Sequence, residues 1–390
     1  MSTKKKKVKV AEDRVAIVCE PLFKHGGAEV HLKYILETFP NSEVYTAFYD
    51  KEFVKSFYGD IKIHHSFMQY LFNKIQWRQI YLIFQPVAYR LFKFKGYDSI
   101  ISFSIAFSKF IKAKKTKHIN ICMTPPKFLW EKEARTLKSI NQLKGILRFF
   151  YKIYRGSVGK MIENRWRKMD LKAAQGCTKI VAISNVVKER IKKYYGLNSD
   201  VIYPPVEVKK IKEFKKVNRK ENWFLYHGRV ETYKGVDLAI RAAVKANVPL
   251  KISGMGDDLD QMKKLVKKLN AKGLIKFLGY TTEEEKINLL SRSKALVFPV
   301  KGEDFGIVPV EANAAGTPVI AYKDGGVTET ISEYNPKTGI FFDKYDVDTL
   351  SKILREFKSE DFSPDNCRKQ ANNFASEIFT YRLQNYVREN

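Results

Sequence analysis

Short, almost wholly apolar runs recur along the chain, each followed by residues with helical spacing. The first is Arg14–Cys19 (RVAIVC), followed by a turn at His25-Gly26-Gly27 and a helix from Ala28 to about Phe39. Val44–Ala47, Ser99–Phe103, His118–Met123, Ile180–Ile183 and Val201–Tyr203 continue the series. After Ile180–Ile183, Ser184-Asn185 supplies a capping pair for a helix over Val186–Tyr195. The alternation then starts again. Strands are predicted at Trp223–Tyr226, Pro249–Ser253, Ile275–Leu278, Ala295–Val300 and Pro318–Ala321. Helices are predicted between them at Gly235–Ala246, Asp258–Ala271, Glu283–Ser291 and Ile307–Ala315. Runs without polar alternation belong to strands buried on both faces, and helices of this length between them make the connections of parallel sheets. The predicted class is α/β, with two doubly wound Rossmann-like domains. Pro204-Pro205, ahead of the lysine-rich Lys209–Lys220, marks the linker, which gives domains at 1–205 and 206–372. Residues 373–390 read as a closing amphipathic helix.

Composition adds little until charge is considered. A chain of 390 residues, 44% hydrophobic and 29% charged, suits two ordinary globular domains. It has no apolar run of 18 residues, the length that would suggest a membrane span. MSTKKKKVKVAEDR is basic with no apolar segment behind it, so it reads as a solvated tail and not a signal peptide. Cys19, Cys122, Cys177 and Cys367 are scattered, as buried thiols in a reducing cytoplasm would be. Net charge is +29 and uneven. Residues 1–200 hold 39 Lys/Arg against 16 Asp/Glu, a net of +23; residues 201–390 hold 32 against 26, a net of +6. The first half is therefore expected to attract polyanions, either nucleic acid or an anionic membrane surface.

The densest chemistry lies in residues 301–326, KGEDFGIVPVEANAAGTPVIAYKDGG. Phe305-Gly306 reads as a tight turn after a strand, and Ile307 opens a helix with Pro309 in its first turn, where a missing N–H costs nothing. A helix N-terminus entered through glycine offers unpaired N–H groups and a positive dipole end, a seat for a diphosphate. Glu303 and Glu311 flank that seat as acceptors for hydroxyl groups. Anion donors together with hydroxyl acceptors suggest a nucleotide-sugar. His227-Gly228-Arg229 follows a strand directly, and Lys234 stands five residues after Arg229. The guanidinium can grip a phosphate with two hydrogen bonds, and the ammonium adds a point charge. Gly254-Met255-Gly256 reads as a tight turn. Asp346-Val347-Asp348 has a metal-binding spelling but starts a helix, where aspartate caps are routine, so no metal site is expected.

GEDFGIVPVEANAAGTPVIAYKDGGVTE resembles the E-x7-E signature of the family 4 glycosyltransferases, and HGR with Lys234 resembles their G-R-x4-K element. The resemblance is strong from about residue 222 to 330 and looser before 200. It implies a GT-B fold, two doubly wound domains facing a cleft, with the C-terminal helix returning to the N-terminal domain. It implies a retaining, metal-independent hexosyltransferase that needs no cofactor, the nucleoside-diphosphate sugar being its substrate. Arg229, Lys234 and Glu303 would be the catalytic set, with Glu303 on sugar hydroxyls. Glu311 would take the ribose, and the Phe305, Gly306 and Ile307 backbone the phosphate, beside Asp304 and Gly228. Gly254 and Tyr280, with Thr281, would lie near the base. Gly26-Gly27 matches the family's GGAE loop. Relatives often carry a histidine that reaches the donor sugar where Met123 stands, and a thioether is a poor partner for a hydroxyl. Mannose from GDP-mannose and a lipid-linked glycan acceptor fit the relatives that share the Thr-Pro and Tyr-Pro-Pro patterns. Aromatics mixed with bases at Phe67–Lys95 and Lys144–Arg167 suit contact with an anionic membrane on its cytoplasmic face. His64, His65 and His118 read as fillers. The alternatives are a non-catalytic nucleic-acid-binding protein, for which no RNA-module motif is found, and a GT-B-fold sugar epimerase.

Overall fold

The computed structural model describes residues 14–23, 26–72, 78–131, 157–214 and 220–389. The chain forms two compact units whose segments interleave. The first comprises residues up to Ala182, then Lys188–Asp200 and Gln384 onward; the second comprises Ile183–Val187 and Val201–Leu383. This division falls at 200/201, ahead of the proline pair, and it runs through two helices, Asn185–Tyr195 and Ser376–Glu389. The basic tail and residues 144–156 of the Lys144–Arg167 stretch lie outside the described residues.

The first sheet has seven strands, β1 (Val15–Cys19), β2 (Glu43–Thr46), β3 (Ile63–His65), β4 (Ser99–Ser104), β5 (Lys117–Cys122), β6 (Lys179–Ala182) and β7 (Asp200–Val201), in the order β3-β2-β1-β4-β5-β6-β7. Its registered pairs are parallel. Every residue of β1 and β4 is buried, as strands covered on both faces require. Polar residues inside this core satisfy one another. Ser102 Oγ lies 2.7 Å from His118 Nε2, and the Ser104 hydroxyl donates to Asn120 Oδ1 at 2.9 Å. His118 is thus a core residue, and burial lowers its pKa to about 4. Lys109 and Asp170 form a fully buried ion pair at 2.7 Å, and Trp130 Nε1–H and the Tyr195 hydroxyl also donate to Asp170.

The second sheet has six strands, β8 (Phe224–His227), β9 (Leu250–Ser253), β10 (Ile275–Gly279), β11 (Leu296–Phe298), β12 (Val319–Tyr322) and β13 (Gly339–Phe342), in the order β10-β9-β8-β11-β12-β13. These pairs are parallel too. Its helices stop where the side chains dictate. Thr282 and Glu285 form a reciprocal capping box on Glu283–Arg292, and Asn247 at φ 55° closes Val236–Ala246. Asp346 accepts from Thr349 N at 2.7 Å, so the D-x-D triplet is a helix cap, as expected.

Both sheets reverse strand order once, between β1 and β4 and between β8 and β11. In open parallel sheets, ligands sit beyond the carboxyl ends of the strands at that reversal. The loops after β8 and β11 carry the sequence-predicted chemistry of the second unit. The GGAE loop follows β1 in the first.

Candidate functional site

The loop after β8 is fixed by backbone-to-backbone contact. Gly228 N donates to Ser253 O (3.0 Å), Val230 N to Met255 O (3.0 Å) and Gly254 N to Gly279 O (2.7 Å). A Cβ on Gly254 would stand 2.0 Å from Gly228 O, and one on Gly256 2.4 Å from Val230 O. The two glycines are therefore required by close approach of the β8 loop, a stronger reason than the tight turn read from sequence. Their effect is to fix the backbone that carries Arg229. The Arg229 guanidinium is exposed, 5.8 Å from the Tyr233 ring centroid and 3.5 Å from Glu231 Oε1. Asp258 Oδ2 accepts from Thr232 N and Oγ1 and pins the following turn. Gly235, at φ 73°, ends it directly after Lys234.

Lys234 Nζ reaches Glu303 Oε2 at 2.9 Å, so Arg229, Tyr233, Lys234 and Glu303 form one cluster. Glu303 sits on a segment tied down along its length. Gly302 N donates to Asp324 Oδ2 (2.8 Å), Gly326 N to Glu303 O (2.7 Å) and the Ser184 hydroxyl to Asp304 O (2.6 Å). Phe305 is buried, its ring packed on Tyr203 and Phe374, so only its backbone is available to a ligand. Gly306 takes φ 96°, a left-handed turn that favours glycine, and the Ile307–Ala314 helix begins behind it. Pro309 has no N–H, so the donors at this end are the amides at the very start of the helix.

Glu311 was expected to be free for hydroxyl groups. Instead Lys286 Nζ holds its Oε1 at 2.8 Å, because a carboxylate left only 14% exposed gains from a counter-charge. Burial raises its pKa, and Lys286 opposes that shift. Beside it, His227 Nδ1 lies 3.0 Å from Ser253 Oγ, which in turn lies 2.8 Å from Thr281 Oγ1. Burial, with Lys286 adding to it, lowers the His227 pKa to about 4. Tyr280 follows Gly279 and is 81% exposed. Gly26 and Gly27 stand in the first unit, at the start of the Gly27–Thr38 helix, while the other candidates stand in the second. Gly26 is extended at φ −172°, a conformation open to any residue.

Sequence reading missed two residues. Lys286 is one. The other is Glu329, whose carboxylate accepts from Asn185 N (2.8 Å), Val186 N (3.0 Å), Asn185 Nδ2 (2.7 Å) and the Tyr203 hydroxyl (3.0 Å). It caps the Asn185–Tyr195 helix together with Ser184, whose Oγ accepts from Val187 N. Among the described residues, no group of three or more His, Cys, Asp or Glu is placed to hold a metal ion, and no helix is long and apolar enough to cross a membrane.

The comparisons with known proteins bear on the same region. Residues 207–374 match the family described as glycosyl transferases group 1. An uncharacterised glycosyltransferase of Methanocaldococcus jannaschii is 28% identical over 202 residues, 49% of this chain and 51% of that protein. A GDP-mannose-dependent monoacylated alpha-(1-6)-phosphatidylinositol monomannoside mannosyltransferase of Corynebacterium glutamicum is 30% identical over 199 residues, 45% of this chain and 51% of that protein. The chain thus spans about half the length of these curated relatives. Among solved structures, Anabaena HepE in complex with UDP superposes with a TM-score of 0.68 at 15% identity, covering 97% of this chain and 100% of that one. At that identity the likeness shows the fold, which is the GT-B fold of glycosyltransferases.

Proposed function

We propose that this protein is a retaining glycosyltransferase that moves a hexose from a nucleoside-diphosphate sugar to an acceptor hydroxyl. The observation that carries this reading is the cluster of Arg229, Lys234 and Glu303 beside the Gly306 turn, on the loops after β8 and β11. In this reading the diphosphate rests on the amides that open the Ile307–Ala314 helix. Lys234 shifts from Glu303 toward the phosphate, and Arg229 grips a second oxygen. As the anomeric carbon–oxygen bond breaks, its electron pair moves to the diphosphate, where the two cations and the amides meet the growing charge. The acceptor hydroxyl enters on the same face and passes its proton to the departing diphosphate. Glu303, released, accepts from sugar hydroxyls; Glu311 accepts from the ribose; Tyr280 covers the base. The cations and the helix end can carry the charge without a metal, so activity should survive chelation. The family match and this site support a transferase over the nucleic-acid-binding and epimerase alternatives.

The finer reading is mannose from GDP-mannose and a lipid-linked glycan acceptor, in keeping with the Corynebacterium relative. The protein would work as a peripheral protein on the cytoplasmic face of the membrane. Exposed Phe84, Val87 and Leu91 fall on one stripe of the Arg78–Leu91 helix, next to Arg90, Lys93 and Lys95, a surface suited to anionic lipid. One experiment tests the core of the proposal. The protein is incubated with UDP-glucose, UDP-galactose or GDP-mannose and a polyprenyl-diphosphate acceptor, and products are read by mass spectrometry and NMR. One donor should be consumed with retention at the anomeric carbon. Turnover of no donor, with thermal stabilisation by oligonucleotide but by neither UDP nor GDP, would overturn it.

A further inference from the structure

Lys286 lies in the first turn of the Glu283–Arg292 helix with its side chain only 8% exposed. Its ammonium stands 2.8 Å from Glu311 Oε1 and 2.7 Å from Glu283 Oε2. Glu311 belongs to the helix whose N-terminus forms the anion seat, and the neighbours on that helix, Val310, Ala312 and Ala314, are buried and apolar. On the lysine's own helix Ile287 and Leu290 are buried too. A buried ion pair in such an interface is seldom worth more than the hydrophobic contact that could replace it. Stability alone therefore does not account for this one. What the pair does achieve is geometric. With Oε1 committed to Lys286, the carboxylate is fixed in rotation and its second oxygen is aimed by the first.

We propose that Lys286 is a positioning residue for nucleoside recognition: it orients the Glu311 carboxylate to accept from the two ribose hydroxyls of the donor. This rests on the reading of the site as a nucleotide-sugar site and adds to it the device that makes the carboxylate selective. The charged and titratable groups around the pair are Glu283 on the lysine's helix, His227 at the end of β8 and Glu207 ahead of the Val208–Glu213 helix. Burial favours the neutral form of Glu311, and Lys286 favours the ionised form. Loss of the ammonium moves the titration of Glu311 to higher pH.

The test measures affinity for UDP and GDP and for their 2′,3′-dideoxy counterparts, in wild type and in K286M and K286R. Wild type should prefer the ribose form by about tenfold or more, the scale of a hydrogen bond to a charged acceptor. K286M should lose most of that preference while binding the dideoxy form within about twofold of wild type. K286R should recover part of it. The weakening of ribonucleotide binding on acidification should begin at higher pH in K286M than in wild type. K286Q, which keeps a donor without the charge, takes the place of K286M if that variant does not fold. A variant that keeps the wild-type preference, or weakens both forms equally, overturns the proposal and leaves Lys286 a structural residue. Wild-type protein that binds neither nucleotide overturns the site reading, and this proposal with it.

Discussion

Gly254→Ala puts the tightest contact of the site under direct strain. Gly254 has φ +130°, which L side chains rarely adopt, and its new Cβ would lie 2.0 Å from Gly228 O and 2.9 Å from Gly228 C. Relief to an ordinary contact requires the β8 loop to retreat by roughly 1 Å or more. That retreat strains two backbone hydrogen bonds, Gly228 N→Ser253 O and Val230 N→Met255 O. At about 1 kcal/mol each, with about 1–3 kcal/mol of backbone strain, the expected destabilisation is about 3–5 kcal/mol. The loop carries Arg229 away with it, and a displacement of about 1 Å at a charge-stabilising group costs about 100-fold in turnover. Urea denaturation measures the first effect, and kcat/KM with the preferred donor the second. Gly273→Ala is the control, since a Cβ there meets nothing within 4 Å, and it should stay within about 0.5 kcal/mol of wild type. Wild-type stability and turnover in Gly254→Ala would refute the close approach and its role in placing Arg229.

Lys234→Met should cost about 2–4 kcal/mol in transition-state stabilisation with a near-normal melting temperature; unchanged single-turnover rates would remove Lys234 from the site. Asp170→Leu leaves the Lys109 ammonium buried without its carboxylate and should destabilise by about 3–5 kcal/mol in urea. Adding Lys109→Met should restore part of that loss, and simple additivity of the two changes would contradict the pairing. Acid should erode stability well before the carboxylates titrate. Burial lowers His31 to about 3, and His118 and His227 to about 4, so the folded chain keeps these imidazoles neutral while the unfolded chain protonates near 6.5. Stability should therefore fall from about pH 6.5 toward 4, by about 1.4 kcal/mol per pH unit for each histidine. Stability that stays level down to pH 4.5 would show that these rings are not held neutral.

The strand–helix alternation was readable because β1, β4, β8, β9 and β12 are short, mostly buried runs built around apolar residues. Two strands escaped it. β3 is only Ile63–His65, and its two histidines break the pattern; His64 stacks on Tyr45 and pairs with Glu43 instead of entering a core. β13, Gly339–Phe342, follows a loop of Ser, Glu, Tyr, Asn and Pro that shows no helical crossover. The closeness of Lys234 and Glu303, 69 residues apart, was implied only by two motifs that each follow a strand. Lys286 and Glu329 could not be found that way. Glu311 lies 25 residues from Lys286, and the groups held by Glu329 lie 126 to 144 residues from it, so nothing local marks either residue in a lysine- and glutamate-rich chain. Gly254 and Gly256 were visible as glycines, but the neighbour that excludes a side chain is the backbone of another loop, and sequence gives no sight of it.

The interleaving of segments decides what can be cut from this molecule. A fragment beginning at Val201 would hold all six strands of the second sheet but not Ser184, Asn185 and Val186. Asp304 O would lose its hydroxyl donor, and the Glu329 carboxylate its amides. Both losses fall on stretches that flank Gly306. Dissection at the linker would thus yield a second-unit fragment with a loosened Gly306 turn, and supplying a short peptide spanning 183–187 should tighten it again.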